Sequence, residues 1–265
     1  MRHSLTLILL LTLTACSSLS DKSDPLSGKT AEEIYALARV QMDNVSYEKA
    51  IKLFETLQSR YPYGRYAQQA QLETAYAYYK QEEAESALSA VDRFIKQYPN
   101  NSHVDYAYYL KGLINFNEDI GLLGHLTQPE LSERDPKEAR EAFDSFRDLV
   151  TRFPNSKYAA DSRLRMQYLT NSLARHEIQV AGYYLRRGAY TAAASRANGV
   201  LTEFPQTIAT RDALQIMVQA YDAMGIMELR DDAQRVLELN IAKDGIRPVT
   251  KESPINKRQW WQFWM

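Results

Sequence analysis

The sequence predicts an all-α fold: a right-handed superhelix, or α-solenoid, of about five helix pairs. Two observations carry that prediction. Between Thr30 and Gly245 the chain is dominated by Ala, Leu, Gln, Glu, Arg and Tyr, and lacks the β-branched alternation that marks strands. One phrase also recurs: "SRYPYGRYAQQAQ" from Ser59, "KQYPNNSHVDYA" from Lys96, "TRFPNSKYAADS" from Thr151 and "TEFPQTIATRDA" from Thr202. Each aromatic–Pro pair reads as a helix stop, because proline has no N–H to donate and restricts the residue before it.

The start signals are equally physical. Thr30-Ala31-Glu32-Glu33 fits a capping box, and Asp135-Pro136-Lys137-Glu138 places proline at the first helical position, where its missing donor costs nothing. Upstream of the four prolines, fixed offsets of −12, −8 and −5 hold Ala50, Phe54 and Leu57; Ala87, Val91 and Phe94; Ala142, Phe146 and Leu149; and Ala193, Ala197 and Val200. Ala233 and Leu237 are read as the beginning of a fifth copy without its proline. This spacing matches the second helix of a tetratricopeptide repeat, whose unit is about 34 residues. First helices fit more loosely, through Ile34, Leu37 and Ala38, Ala75 and Tyr78, Gly112, and Ala181 and Tyr184. An insert over 117–135 separates the two helices of repeat three, and a helical stretch over 157–176 lengthens repeat four. Long inserts in compact arrays are usually functional. The superhelix is therefore placed at 30–245, with N-terminal repeats over 30–116 and 136–154 and C-terminal repeats over 155–245.

The N-terminus speaks of location. A basic start, an apolar run from Leu5 to Leu13 and then Leu13-Thr14-Ala15-Cys16 form a secretory signal over 1–15, too short for a spanning helix. The order resembles the lipobox of bacterial lipoproteins. That implies cleavage before Cys16 and a covalent lipid on its sulfur, with no other cofactor expected. Cys16 is the only cysteine, so no disulfide framework is possible. Ser17 after it points, by the same likeness, to the inner leaflet of the outer membrane, facing the periplasm. Residues 16–29 read as the lipidated Cys16 and a flexible tether; the thirteen residues 17–29 span at most roughly 45 Å.

Composition narrows the function. With 32 Lys and Arg against 33 Asp and Glu, no footprint for nucleic acid is visible. The histidines lack paired metal-ligand spacing: His176-Glu177 has no second histidine. There is no glycine-rich phosphate loop and no nucleophile elbow. Glu85-Ser86 superficially resembles the acid of superhelical lytic transglycosylases, but it lies where a repeat's second helix starts. The reading is a non-enzymatic, metal-free binding protein.

A lipid-anchored chain with five such repeats, carrying "RYPYGRYAQQAQLETAYAYYK" and "RDPKEAREAF", resembles the BamD (ComL) family of outer-membrane β-barrel assembly lipoproteins from Cys16 to about Gly245, fading thereafter. The resemblance implies BamA as partner, bound at its periplasmic POTRA region by the C-terminal repeats, alongside other assembly-complex lipoproteins. It also implies that unfolded outer-membrane protein C-terminal segments bind the N-terminal repeats. Arg196 aligns with a basic residue of the family's BamA-contact region; it reads equally as a solvated helix arginine. Repeat positions that face the concave side hold Tyr35, Arg39, Leu72, Tyr76, Tyr79, Tyr106, Tyr109 and Phe116. Tyrosine's apolar face and hydroxyl suit a strand ending on an aromatic, with Arg39 and Lys80 near its carboxylate. The same tyrosines read equally as inter-repeat core. A tetratricopeptide scaffold for cell-wall or division proteins is the alternative function.

The tail over 246–265 holds all three tryptophans. Trp260, Trp261, Phe263 and Trp264, with Lys257 and Arg258, suit a membrane interface, a partner or the protein's own groove; a disordered tail is the other reading.

Overall fold

The structure, a computed structural model, describes residues 24–116 and 136–244, with side chains through 241. The expected signal, Cys16, the 117–135 insert and the aromatic tail lie outside the described residues. Among the described residues the chain is all-helical: α1 (Ala31–Asp43), α2 (Tyr47–Arg60), α3 (Arg65–Lys80), α4 (Ala84–Gln97), α5 (Val104–Phe116), α6 (Pro136–Arg152), α7 (Ala159–Arg186), α8 (Tyr190–Glu203), α9 (Ala209–Ala223) and α10 (Met227–Asp244). The chain forms two compact units, divided within α3 after Ala70.

In the first unit α1 packs on α2. The capping box forms: the Glu33 N–H donates to Thr30 Oγ1 (3.2 Å) and the Thr30 N–H donates to Glu33 Oε2 (2.7 Å). That backbone donor holds the Glu33 carboxyl below its usual range. Ile34, Ala38 and Met42 are buried, as are Ala50, Ile51, Phe54 and Leu57; Leu37, expected inside, is exposed. The tether is shorter than expected at its folded end. Residues 25–28 form a turn, and Arg60 pairs with Asp24 and donates to the Leu26 carbonyl (2.6 Å) while the Tyr61 hydroxyl donates to that of Lys29 (2.7 Å).

In the second unit consecutive helices from α4 to α10 pack on one another, and α7 also packs on α9. The stretch expected over 157–176 is no separate helix: it is the first part of α7, 28 residues long.

Two local rules make the repeat. Four helix hairpins close with one three-residue Schellman turn. In the first, the Val45 N–H donates to the Met42 carbonyl (3.0 Å) and the Ser46 N–H to Gln41 (2.8 Å); Glu82–Glu83, Gly188–Ala189 and Gly225–Ile226 repeat both bonds. The middle residue is left-handed each time, with φ 58° at Val45, 62° at Glu82, 76° at Gly188 and 71° at Gly225. The aromatic before each proline is the second rule. Its N–H still donates four residues back, from Tyr61 to Leu57, Tyr98 to Phe94, Phe153 to Leu149 and Phe204 to Val200, at 2.8–2.9 Å. Proline, which has no N–H, comes next and the helix stops.

All twelve residues at −12, −8 and −5 are buried to 1% exposure or less. The fifth pair breaks the expected register. The Arg230 N–H donates to the Ile226 carbonyl as Ala50 does to Ser46, Ala87 to Glu83 and Ala193 to Ala189. Arg230 therefore stands where the alanine stands elsewhere, and Ala233 and Leu237, though buried, lie three residues further along. The turn at Gly225 sets where α10 starts, and Arg230 is held there by Asp222 (3.1 Å) and Asp231 (2.7 Å).

Candidate functional site

Around α5 and α7 the chain builds a cluster of rings over a charged pair. Tyr109 stacks on Tyr158 with ring centres 4.7 Å apart and planes 16° from parallel, and Tyr106 meets the same ring at 5.5 Å. The Tyr109 hydroxyl donates to Asp161 Oδ2 (2.7 Å), which also accepts from Arg165 Nε (2.6 Å). Arg165 is buried and its guanidinium lies 4.9 Å from the Phe116 ring centre; Phe116 meets Phe146 and Tyr168 edge-on. At the other end of the cluster Ser156 Oγ donates to Asp105 Oδ2 (2.7 Å). A planar cation between a carboxylate and an aromatic ring donates to the one while the other covers its face.

Burial pushes the phenols of this cluster well above their ordinary range. For Tyr106 desolvation dominates, with Glu73 adding to it. For Tyr109 burial outweighs the opposing Arg165 charge, and Asp161 adds to the rise. Tyr158 follows from burial and then Asp105. All three stay neutral and serve as packing groups with one polar end.

Of the groove candidates, Leu72, Tyr76, Tyr106, Tyr109 and Phe116 are buried in this chain, a placement that corrects their reading as an open lining. Tyr35 and Tyr79 are half-buried and Lys80 is exposed. In the first unit Tyr35 lies between Phe54 (5.7 Å) and Tyr66 (5.5 Å), and Arg65 covers Tyr66 at 4.7 Å. Arg39 sits 3.9 Å from Asp43. In the second, Tyr76 and Tyr79 are 6.2 Å apart.

Arg196 on α8 stands in an ion-pair array that its own sequence neighbourhood hides. Its Nη1 lies 3.0 Å from Glu177 Oε2 on α7, while Arg140 on α6 reaches the other Glu177 oxygen (3.8 Å) and Glu203 (3.5 Å). Glu177 is only 14% exposed, whereas Arg196 is half-exposed. A shielded carboxylate thus aims an arginine that keeps a face to solvent. The Asp161/Arg165 spacing of four was open to sequence reasoning. The partners of Glu177, 37 residues before it and 19 after it, carried no such signal.

Paired helices with a common hairpin turn, buried residues at three fixed positions and an aromatic–Pro stop define a helical-repeat protein of the tetratricopeptide type. The comparisons with known proteins place it further. A family model described as "Outer membrane lipoprotein" matches residues 27–236. The outer membrane protein assembly factor BamD of Neisseria meningitidis serogroup A is 42% identical over 263 residues, 98% of each chain. Its namesake in Xylella fastidiosa strain 9a5c is 39% identical over 228 residues, 86% of this chain and 78% of its own. That of Vibrio cholerae serotype O1 is 33% identical over 235 residues, 89% of this chain and 98% of its own. The chain belongs to the BamD family of outer membrane lipoproteins. With the Neisseria relative the likeness runs past Gly245, where it was expected to fade.

Proposed function

We propose that the protein is a non-enzymatic component of outer-membrane β-barrel assembly, held by lipid on Cys16 at the inner leaflet and facing the periplasm. The observation that carries this reading is the match, over nearly the whole chain, to relatives named for outer membrane protein assembly. No described helix is long and apolar enough to cross a membrane, which is compatible with anchoring by lipid alone. In this reading the C-terminal repeats bind the POTRA region of BamA, with Arg196 offering its solvent face to an acidic group there while Glu177 fixes its direction. Other assembly-complex lipoproteins join the same complex. Unfolded outer-membrane protein C-terminal segments bind the N-terminal repeats. There the first unit offers the half-buried ring of Tyr35 and the cation of Arg39, and the second, by itself, the half-buried ring of Tyr79 and the cation of Lys80, each suited to a segment with a terminal carboxylate.

Co-purification of BamA with the lipidated chain tests the reading. Arg196→Gln is expected to weaken retention of BamA at salt concentrations where the native chain holds it, with only a small fall in melting temperature because Arg140 still faces Glu177. If the native chain retains cell-wall or division proteins instead of BamA, the scaffold alternative replaces this one. Separately, Arg39→Glu with Lys80→Glu is expected to weaken binding of a peptide ending in an aromatic residue and a free carboxylate. Unchanged affinity would remove the carboxylate role and leave the BamA contact standing.

A further inference from the structure

Three consecutive helices contribute to one charged array. The two oxygens of Glu177 on α7 serve two arginines, one from each neighbouring helix. Arg196 on α8 reaches Oε2 with Nη1 (3.0 Å), and Arg140 on α6 faces Oε1 with Nη2 (3.8 Å). The hold on Arg196 is single-ended, one hydrogen bond from one terminal nitrogen. An arginine beside a free carboxylate gains most by closing both ends, since two parallel N–H···O bonds make the strongest such pair. Here the second oxygen faces Arg140. Arg140 is itself tied from the other side, with Nη1 3.5 Å from Glu203 Oε2 at the end of α8. Both arginines are about half exposed, while Glu177 is shielded.

We infer that Arg140 is a positioning residue for the contact Arg196 makes: by occupying Glu177 Oε1 it keeps Arg196 on one oxygen and so keeps the rest of its guanidinium turned to solvent. The inference rests on the reading that the C-terminal repeats dock BamA through an acidic group. A shielded carboxylate pulls strongly on any cation in reach, because little water lies between them to screen it. Without Arg140, Arg196 closes its fork on both Glu177 oxygens and its second terminal nitrogen turns inward. With Arg140 in place, Glu177 takes one of the five N–H groups that a guanidinium carries. The free side of the fork can then grip a partner's carboxylate end-on, the planar two-bond geometry that favours arginine over lysine. Glu203 completes the device by holding Arg140 from α8, so that the spacing of α6, α7 and α8 sets how Glu177 is shared.

The first readout needs no partner. The full lipidated chain is treated with p-hydroxyphenylglyoxal, and modification of Arg196 is followed by peptide mass spectrometry with the exposed Arg186 as internal reference. Arg140→Gln is expected to slow modification of Arg196 about fivefold and to leave Arg186 unchanged. Adding Glu177→Gln should restore the native rate, because a neutral amide no longer pulls the fork closed. Arg140→Lys should keep the native rate, because at 3.8 Å the link to Glu177 is ionic and not a directed hydrogen bond. The second readout is affinity for BamA at fixed ionic strength: Arg140→Gln should lower it about fivefold, and should have no effect once Glu177 is glutamine. An unchanged Arg196 rate or an unchanged BamA affinity in Arg140→Gln overturns the inference, as does a slow rate in Arg140→Lys. So does a loss that Glu177→Gln leaves in place, which marks a broken tie between helices or long-range charge. If the modification pattern holds and the native chain does not bind BamA, the part played by Arg140 stands and the BamA reading falls.

Discussion

Among the described glycines, Gly112 is the one in a helix where an added methyl group would meet a packed ring. A Cβ placed there would stand 2.4, 2.6 and 2.7 Å from Cε1, Cδ1 and Cζ of Phe146, where carbon contacts settle at about 3.5–4.0 Å. The ring would have to retreat by roughly 1 Å. It has nowhere to go: Phe146 is fully buried and closed in by Tyr109 at 6.0 Å and Phe116 at 6.1 Å. Overpacking of this kind costs about 1–3 kcal/mol, while alanine for glycine inside a helix returns about 1 kcal/mol. Gly112→Ala is therefore expected to destabilise by up to about 2 kcal/mol in the native background. With Phe146→Ala, which alone removes about 3–5 kcal/mol, the obstacle is gone and the same Gly112→Ala should stabilise by up to about 1 kcal/mol. Thermal unfolding followed by far-UV circular dichroism reads the cycle, at about 2–4 °C per kcal/mol for a unit of this size. Equal shifts of the same sign in both backgrounds would refute the reasoning.

Two further predictions rest on backbone and burial. Val45 is a β-branched residue at φ 58°, 66% exposed. Val45→Gly should relieve about 1–2 kcal/mol of left-handed strain against roughly 0.5–1 kcal/mol of added chain entropy, raising the urea midpoint slightly; a lowered midpoint would show that the valine side chain stabilises the turn. The raised phenols of Tyr106, Tyr109 and Tyr158 set the second. With folded values above the unfolded value of about 10, the unfolded state loses its protons first. Their stability contribution is complete below pH 10 and falls as pH rises from there toward the folded values. After the exposed tyrosines have ionised, the last part of the tyrosinate absorbance at 295 nm should appear only with loss of helix, and Tyr158→Phe should flatten that alkaline loss; ionisation of all 18 tyrosines with the helix intact would contradict burial as the cause.

Repeat, stops and caps were legible in the sequence because each is local. A proline four residues beyond a carbonyl, or a threonine three before a glutamate, acts through bonds that the spacing itself sets. Tyrosine was not legible in the same way. Its ring suits a core and its hydroxyl suits a groove, and the choice at Tyr109 depends on Asp161, 52 residues away. The same holds for Asp105 and Ser156, 51 apart. The fifth copy misled for a related reason. Ala233 and Leu237 have the right spacing from each other, but their place in the helix is set by the turn at Gly225, not by any proline after them.

The first copy of the stop shows how far one glycine can change a shared rule. In the other three copies the aromatic carbonyl accepts a bond three residues on, from the N–H of Asn101, Ser156 or Thr207. The next helix then starts five residues after Pro99 and Pro154 and four after Pro205. After Pro62 the chain instead takes φ 98° at Gly64, a value open to glycine at little cost, and α3 starts at Arg65, three residues on. The shortened link leaves Tyr63 90% exposed and sets Arg65 directly over Tyr66. Tyr-Pro supplies the stop, and Gly64 converts the residues after it from spacer into surface. By the same logic the departure at Arg230 marks α10 as a helix whose register is set by the turn before it and not by the repeat.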